Sequence, residues 1–489
     1  MSVELMTLEF FIPVILYILL LTAITIYAVR AGKVAGQASD AGGDSPELEN
    51  SAASARNYFL AGRGVGSGLA FVSVVATETS VATVLVFPQV GFSGGFALIW
   101  LCLGFIFGRW LVARYYLEPI YNQHRLSMYA TVSTSPAARR SLSAAYLLAK
   151  YVSSGVRFYL GGLAFAKLLG IGLIPAILFI AAVAGVYSLA GGLRAVILTD
   201  QLQGYIILFM GLFLIVSLGW QLDFASAAPP AWINLTPSIA NAQFFPILFL
   251  GGAVLSVGSH GADQDMLQRV LATPSLASAR RALILSGVGA TVVIMIYLAV
   301  GYLLSVGTAN GQIAGVAKDT PLVDYINVLS NPWLVGSFAV LLVAAAMSTL
   351  DSALHSTGAV WKSILSRSDQ PAGGGARIYS FLSLAILTAA ALGFASASGY
   401  RNFLDLAMSF MNYVNGGLIG VFTLFVLKKS ALDFPPIAAA LLTGFLVTFV
   451  ANVGLDPRPG WTYTTIVSAA LALAAAWLAD RFTDDAMAG

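Results

Sequence analysis

Residues 68–90 read GLAFVSVVATETSVATVLVFPQV. The stretch is long enough to cross a bilayer, since ~20 residues of helix span a hydrocarbon core of ~30 Å. Its middle, Ala76 to Thr83, is polar and puts Glu78 near the bilayer centre. A carboxylate at that depth costs several kcal/mol, on the order of 3, unless it is paired or solvated. Backbone can leave the helix there only around a cavity or within protein. Two readings are open: a polar helix face packed against neighbours, or an unwound segment whose carbonyls hold an ion.

The rest of the chain repeats the apolar theme. Of its 489 residues 58% are hydrophobic and only 10% charged, where soluble domains carry roughly 25%. About thirteen runs meet the length criterion for a spanning helix: 10–30, 67–90, 94–117, 142–170, 172–190, 198–219, 243–262, 281–307, 333–361, 377–397, 403–427, 434–453 and 461–480. The runs lack the short alternation of a membrane barrel. The first is preceded by Glu4 and Glu9 rather than by basic residues, so it is expected to be a span and not a cleaved leader. The sizeable polar linker lies between Ala31 and Asn57. A single cysteine, Cys102, excludes an internal disulfide and a cysteine-based metal site.

Lysine and arginine set the expected orientation. With the N-terminus outside, the inner loops and helix ends receive most of the basic residues, Arg109 and Arg269 among them, and the outer side only Lys167, Lys318, Arg401 and Arg458. Lys150 and Arg157 remain within the bilayer. An odd number of spans then puts the C-terminus in the cytoplasm.

A second interrupted segment ends the seventh run. LSVGSHGADQDMLQR, residues 255–269, sets His260 between Gly258 and Gly261 and continues with Asp263, Gln264 and Asp265. It falls five spans after the first, and paired broken helices are the best sequence pointer to an inverted-repeat transport site. The competing reading is a helix end running into an inner loop.

The ninth run contains AAAMSTLDSALHSTGAVW, residues 344–361. On a helical wheel Ala345, Ser348, Thr349 and Ser352 share a quadrant or slightly more, with Asp351 at its edge. A hard cation wants several oxygen ligands. Hydroxyls bonding back to their own helix are the plain alternative. Asp200, near the inner end of the sixth run, is either an interfacial acid or a member of an ion site with Asp351 and Ser352. Arg157 lies near mid-membrane, too deep to snorkel easily. It either pairs with an acid such as Glu78 or receives an anionic group of a substrate.

These residues resemble those of the solute:sodium symporter family, which includes sodium–glucose, proline, iodide and sialic acid carriers. NYFLAGRGVG (57–66), GGLRAVILTDQLQG (191–204), HGADQDMLQR (260–269), AAAMSTLDSALHS (344–356) and GGLIGVFTLF (416–425) match its motifs in order. The resemblance implies an all-α polytopic membrane protein with a LeuT-type core of two inverted five-helix repeats at 67–427. One extra helix and a linker precede it (1–66), and two extra helices follow (428–489). It implies a sodium site built from the carbonyls of Ala76, Thr79 and Ala345 and the hydroxyls of Ser348 and Thr349. A candidate second cation site, for Na⁺ or H⁺, maps to Asp200, Ser348, Asp351 and Ser352, although relatives often carry a hydroxyl where Asp351 stands. Glu78, Ser80, Thr83, Arg157 and Asp263 would face the substrate.

The implied activity is uptake of a small polar organic solute driven by one or two Na⁺, in a bacterial inner membrane. A solute sensor or channel on the same fold is the alternative. No organic cofactor, nucleic acid or obligate protein partner is expected. An enzyme is disfavoured: GFSGG (91–95) matches G-x-S-x-G but sits in a short loop between spans.

Overall fold

The structure, a computed structural model, describes residues 7–40, 57–123, 125–223, 229–237, 244–365, 375–396 and 403–488. The linker's residues 41–56 and Arg401 lie outside them. The described chain is helical, and its one β-bridge, Gly95 with Ala231, joins two loops.

α1 (Leu8–Asp40) comes first. The run with Glu78 at its middle forms two helices, α2 (Ser67–Glu78) and α3 (Val81–Phe92), bent by 63°. α4 (Leu98–Leu111) continues through a π-helical turn at Val112–Tyr116 to Tyr121, and α5 spans Pro136–Leu169. α6 (Leu173–Gln221) is divided at Gly192, whose φ of 61° and ψ of −164° leave the helix. A Cβ at Gly192 would stand 2.8 Å from the carbonyl oxygen of Tyr58, so glycine serves both the backbone angle and the close approach. α7 (Phe245–Gly261) and α8 (Gln264–Leu271) form the second bent pair, again at 63°. α9 (Leu276–Ala309), the short α10 (Pro321–Leu329) and α11 (Pro332–Leu365) follow. α12 (Ala376–Ser396), α13 (Phe403–Lys428), α14 (Phe434–Phe449) and α15 (Trp461–Ala488) complete the chain.

Among the described residues eight helices are long and apolar enough to cross a membrane, and ten if each bent pair is one span. The hydropathy count of thirteen also includes α5 and α13 and takes α6 as two spans. α11 is the axis of the molecule: 83% of its most apolar window is buried, against 17% for α1. Leu16, Leu19 and Tyr27 of α1 are exposed, as a lipid-facing helix requires.

Lipid gives helices no hydrophobic reason to associate, so close packing through small residues does the holding. α3 and α9 cross on glycines. A Cβ at Gly91 would lie 2.0 Å from the carbonyl oxygen of Leu298, and one at Gly301 would lie 2.0 Å from that of Pro88. α4 and α7 meet the same way, Gly104 against Phe249 and Gly252 against Leu101, at 2.1 and 2.3 Å. α2 and α8, one helix from each bent pair, pack on each other and on α11.

Candidate functional site

The first break lies at Thr79 and Ser80. Thr79 ends α2 with φ −81° and ψ 82°, and its hydroxyl donates back to the carbonyl of Val75 at 2.7 Å. Ser80 caps α3, its hydroxyl accepting the backbone N–H of Ala82 at 3.3 Å. The second break lies at Ala262 and Asp263, and the Asp263 carboxylate caps α8 by accepting from Asp265 N at 2.9 Å. Each break sets a helix C-terminus and a helix N-terminus side by side within the fold, so partial charges of both signs meet there.

Glu78, the last residue of α2, is paired with Arg109 of α4. Arg109 is fully buried and also donates through Nε to His260 Nε2 at 3.1 Å. Its Nη1 lies against α9, where a Cβ at Gly287 would stand 2.9 Å away. Because Arg Nε can only donate, His260 Nε2 must be the acceptor and its proton sits on Nδ1, beside Ser259 Oγ and the Ser256 carbonyl. One guanidinium therefore ties the first break to the helix that leads into the second. This corrects one expectation: Arg109 is not an edge charge of an inner loop but an ion-pair partner of Glu78. Arg157 is half-buried on α5, within coulombic reach of Asp263, Asp265 and Glu78.

A second network joins α5, α8, α6, α2 and α11. Lys150 of α5, buried, reaches Asp263 at 3.1 Å and Asp265 at 2.7 Å. Asp265 in turn accepts from Arg269 Nη1 at 3.1 Å. Arg269 Nη2 reaches Asp200 at 3.2 Å and the hydroxyl of Ser352, and Nε reaches Ser73 at 2.9 Å. Arg269 is therefore a buried residue as well, not one of an inner loop. It can be buried because every residue of α8 is packed inside the protein, despite the polarity of QDMLQRVL.

On α11, Ser348 Oγ donates to the carbonyl of Ala345 at 3.1 Å and Thr349 Oγ1 does so at 3.5 Å. Ala76, on α2, faces Gly204 of α6, and Thr77 Oγ1 meets Ser352 Oγ at 3.2 Å. The fold thus draws the Ala76–Thr79 turn and the hydroxyl face of α11 into one neighbourhood. All the donor groups there are oxygens, the set a sodium ion takes. The four members of the candidate second cation site are divided. Asp200 and Ser352 both hold Arg269, whereas Asp351 accepts from the hydroxyls of Tyr187 and Ser188 on the first half of α6.

Of the expected substrate-facing residues, Ser80 and Thr83 are buried beside the first break, and Glu78 is half-buried. Asp263 opens onto a small cleft at the second break, together with Tyr146, Lys150, Ser153 and Asn415. Tyr146, Lys150 and Asn415 belong to α5 and α13 and were not singled out as site residues. The depth of Lys150 in its span was the signal for that residue.

The description "Sodium:solute symporter family" belongs to the family model that matches residues 58–429. The chain is similar to the human sodium/iodide cotransporter, 24% identical over 433 residues, covering 83% of this chain and 66% of that protein. It is also similar to the sodium/glucose cotransporter of Vibrio parahaemolyticus, 26% identical over 345 residues, covering 63% and 62%. The chain therefore spans less than two thirds of the length of either relative. A solved substrate-bound, outward-open Na⁺-coupled sialic acid symporter superposes with a TM-score of 0.75 at 19% identity, over 94% of this chain and 98% of that one.

Proposed function

Because the chain belongs to the sodium:solute symporter family, we propose that it couples inward sodium movement to uptake of a small polar organic solute by alternating access. The solute class is a sugar, a sugar acid or another carboxylate, and the setting is a bacterial inner membrane. The observation that carries the reading is the pair of helices bent by the same 63°, five spans apart, whose breaks meet around α11. Paired discontinuous helices are the device by which secondary transporters hold ions and solutes at mid-membrane. The named relatives are transporters, and none of them is an enzyme. A LeuT-type core at 67–427 with thirteen spans is part of the same proposal. A counterflow screen with labelled sugars, sugar acids and amino acids tests it. Uptake of none of these under an inward sodium gradient would count against it.

Sodium would be held by the carbonyls of Ala76, Thr79 and Ala345 and the hydroxyls of Ser348 and Thr349. Both hydroxyls donate to the Ala345 carbonyl and would turn from it to serve. Removing one oxygen from a dehydrated cation costs about 1–3 kcal/mol. Ser348→Ala and Thr349→Ala should each raise the sodium concentration for half-maximal binding by roughly tenfold or more, with the protein still inserted. Unchanged sodium titrations in both variants would remove the assignment. The solute would bind at the cleft beside Asp263, with Glu78, Ser80, Thr83 and Arg157 around the breaks.

The proposed topology has the N-terminus outside and the C-terminus in the cytoplasm. A cysteine introduced at position 370, outside the described residues, should stay unlabelled by an impermeant maleimide added from outside. Cys102 is buried, so background labelling should be low. Strong labelling of intact cells at 370 would reverse the topology.

A further inference from the structure

The guanidinium of Arg269 is surrounded by five oxygens, and they come from four helices. Nε donates to Ser73 Oγ at 2.9 Å and to Asp200 Oδ2 at 3.3 Å. Nη2 donates to Asp200 Oδ2 at 3.2 Å and to Ser352 Oγ. Nη1 donates to the carbonyl and to Oδ1 of Asp265, both at 3.1 Å. A guanidinium has five N–H groups, and this cage uses the donors of all three nitrogens. Arg269, Asp200, Ser73, Ser352 and Asp265 are all buried. Carboxylates, hydroxyls and a carbonyl converging in a dry interior are the ligand set of a hard cation, yet the positive charge there belongs to the chain.

Two of the residues, Asp200 and Ser352, belong to the candidate second cation site. The other two members do not join them. Ser348 has turned its hydroxyl to Ala345, while its own carbonyl accepts from Ser352 Oγ. Asp351 is turned to Tyr187 and Ser188. Asp200 Oδ1 is buried and has no hydrogen-bond partner among the described residues. Without the guanidinium, Asp200 and the Ser73 and Ser352 hydroxyls would have no counter-charge among the described residues, while Asp265 would keep Lys150 at 2.7 Å.

We infer that Arg269 is a tethered cation that fills the second ion position, so that this chain takes up a single free sodium ion. A charge bound covalently to α8 cannot leave with the solute, and the position then adds nothing to the driving force. The inference deepens the sodium-coupled reading and rests on it for the identity of the ion that Arg269 replaces.

Equilibrium binding of ²²Na⁺ to the purified full-length protein tests it without knowledge of the solute. The wild type should bind one ion per chain, lost in the Ser348→Ala/Thr349→Ala variant. Arg269→Ser, which opens the cage and leaves a hydroxyl in it, should bind two, and adding Asp200→Asn should return it to one. Two ions on the wild type, or one on Arg269→Ser, would overturn the inference. If Arg269→Ser does not purify as a folded species, the wild-type count decides: one supports the tethered cation and two refutes it. A wild type that binds no sodium, with Arg269→Ser gaining one ion, would sink the sodium-symport reading and leave the tethered cation standing.

Discussion

Arg109→Met should destabilise the protein by about 3–5 kcal/mol, the usual effect of removing one partner from a buried ion pair. It should also weaken sodium binding by roughly tenfold or more. Arg109 is fully buried between Glu78 and His260. Its loss leaves the Glu78 carboxylate without its counter-charge and His260 Nε2 without its donor. Glu78 sits between Ala76 and Thr79, whose carbonyls are proposed to hold the ion, so an unpaired Glu78 disturbs the turn that aims them. The double variant Arg109→Met/Glu78→Met removes both charges and should recover most of the stability, since an apolar pair of similar volume is often neutral in place of a buried ion pair. It should not recover sodium affinity, because the tie between the two breaks is still missing. Thermal unfolding in detergent and ²²Na⁺ titration of the wild type, both singles and the double give the coupling. Additive losses of stability in the double would mean that Glu78 and Arg109 do not act as a pair.

Gly301→Ala should prevent accumulation of a monodisperse protein. The new Cβ would have to sit 2.0 Å from the carbonyl oxygen of Pro88 and 2.6 Å from its carbonyl and α carbons. Those are backbone atoms, so no rotamer can yield, and α3 and α9 must move apart along their crossing. Overpacking of side chains costs about 1–3 kcal/mol, and a backbone clash belongs above that range. Gly91→Ala on the facing helix should behave alike, with its Cβ 2.0 Å from Leu298 O. Gly219→Ala is the control. It has nothing within 4 Å and lies in a helix, so stability should hold or improve slightly. Size-exclusion profiles and melting temperatures of the three variants report the outcome. A Gly301→Ala protein as stable as Gly219→Ala would show that the α3–α9 crossing is looser than described.

Both broken helices were legible in the sequence because the signal is local. Glu78 in the middle of an apolar run, and the glycines flanking His260, each violate the rule for a plain span. The hydroxyl face of α11 was legible from helical periodicity alone. The partners of the buried charges were not legible, because a linear charge count cannot see across helices. Arg109 stands about eight residues short of the C-terminal end of its span, roughly 12 Å in depth, beyond easy snorkelling. The depth argument that singled out Arg157 therefore applied to it too. Arg269 escaped for another reason. Hydropathy ends the seventh span near residue 262, and the polar α8 that follows is buried by protein rather than by lipid. Asp351 and Ser352 are neighbours in sequence, but 100° of helical rotation sends one to α6 Tyr187 and the other to Arg269. The family resemblance implies one shared ligand set, and the fold divides its members between two.

The glycine crossing of α3 on α9 has a mechanical consequence. A contact of backbone on backbone contains no rotatable side chain, so it transmits a displacement without slack. Any shift of α9 must carry α3 along as though the two were one beam. α2 also packs on α9, Val75 and Phe71 against Gly289, but through side chains; it leans on α6 through Ala76 and Gly204 and is linked to α11 through Thr77 and Ser352. The two halves of one broken helix thus hold α9 with different stiffness, α3 backbone to backbone and α2 through side chains that can turn, and the Thr79–Ser80 joint between them is where that difference falls.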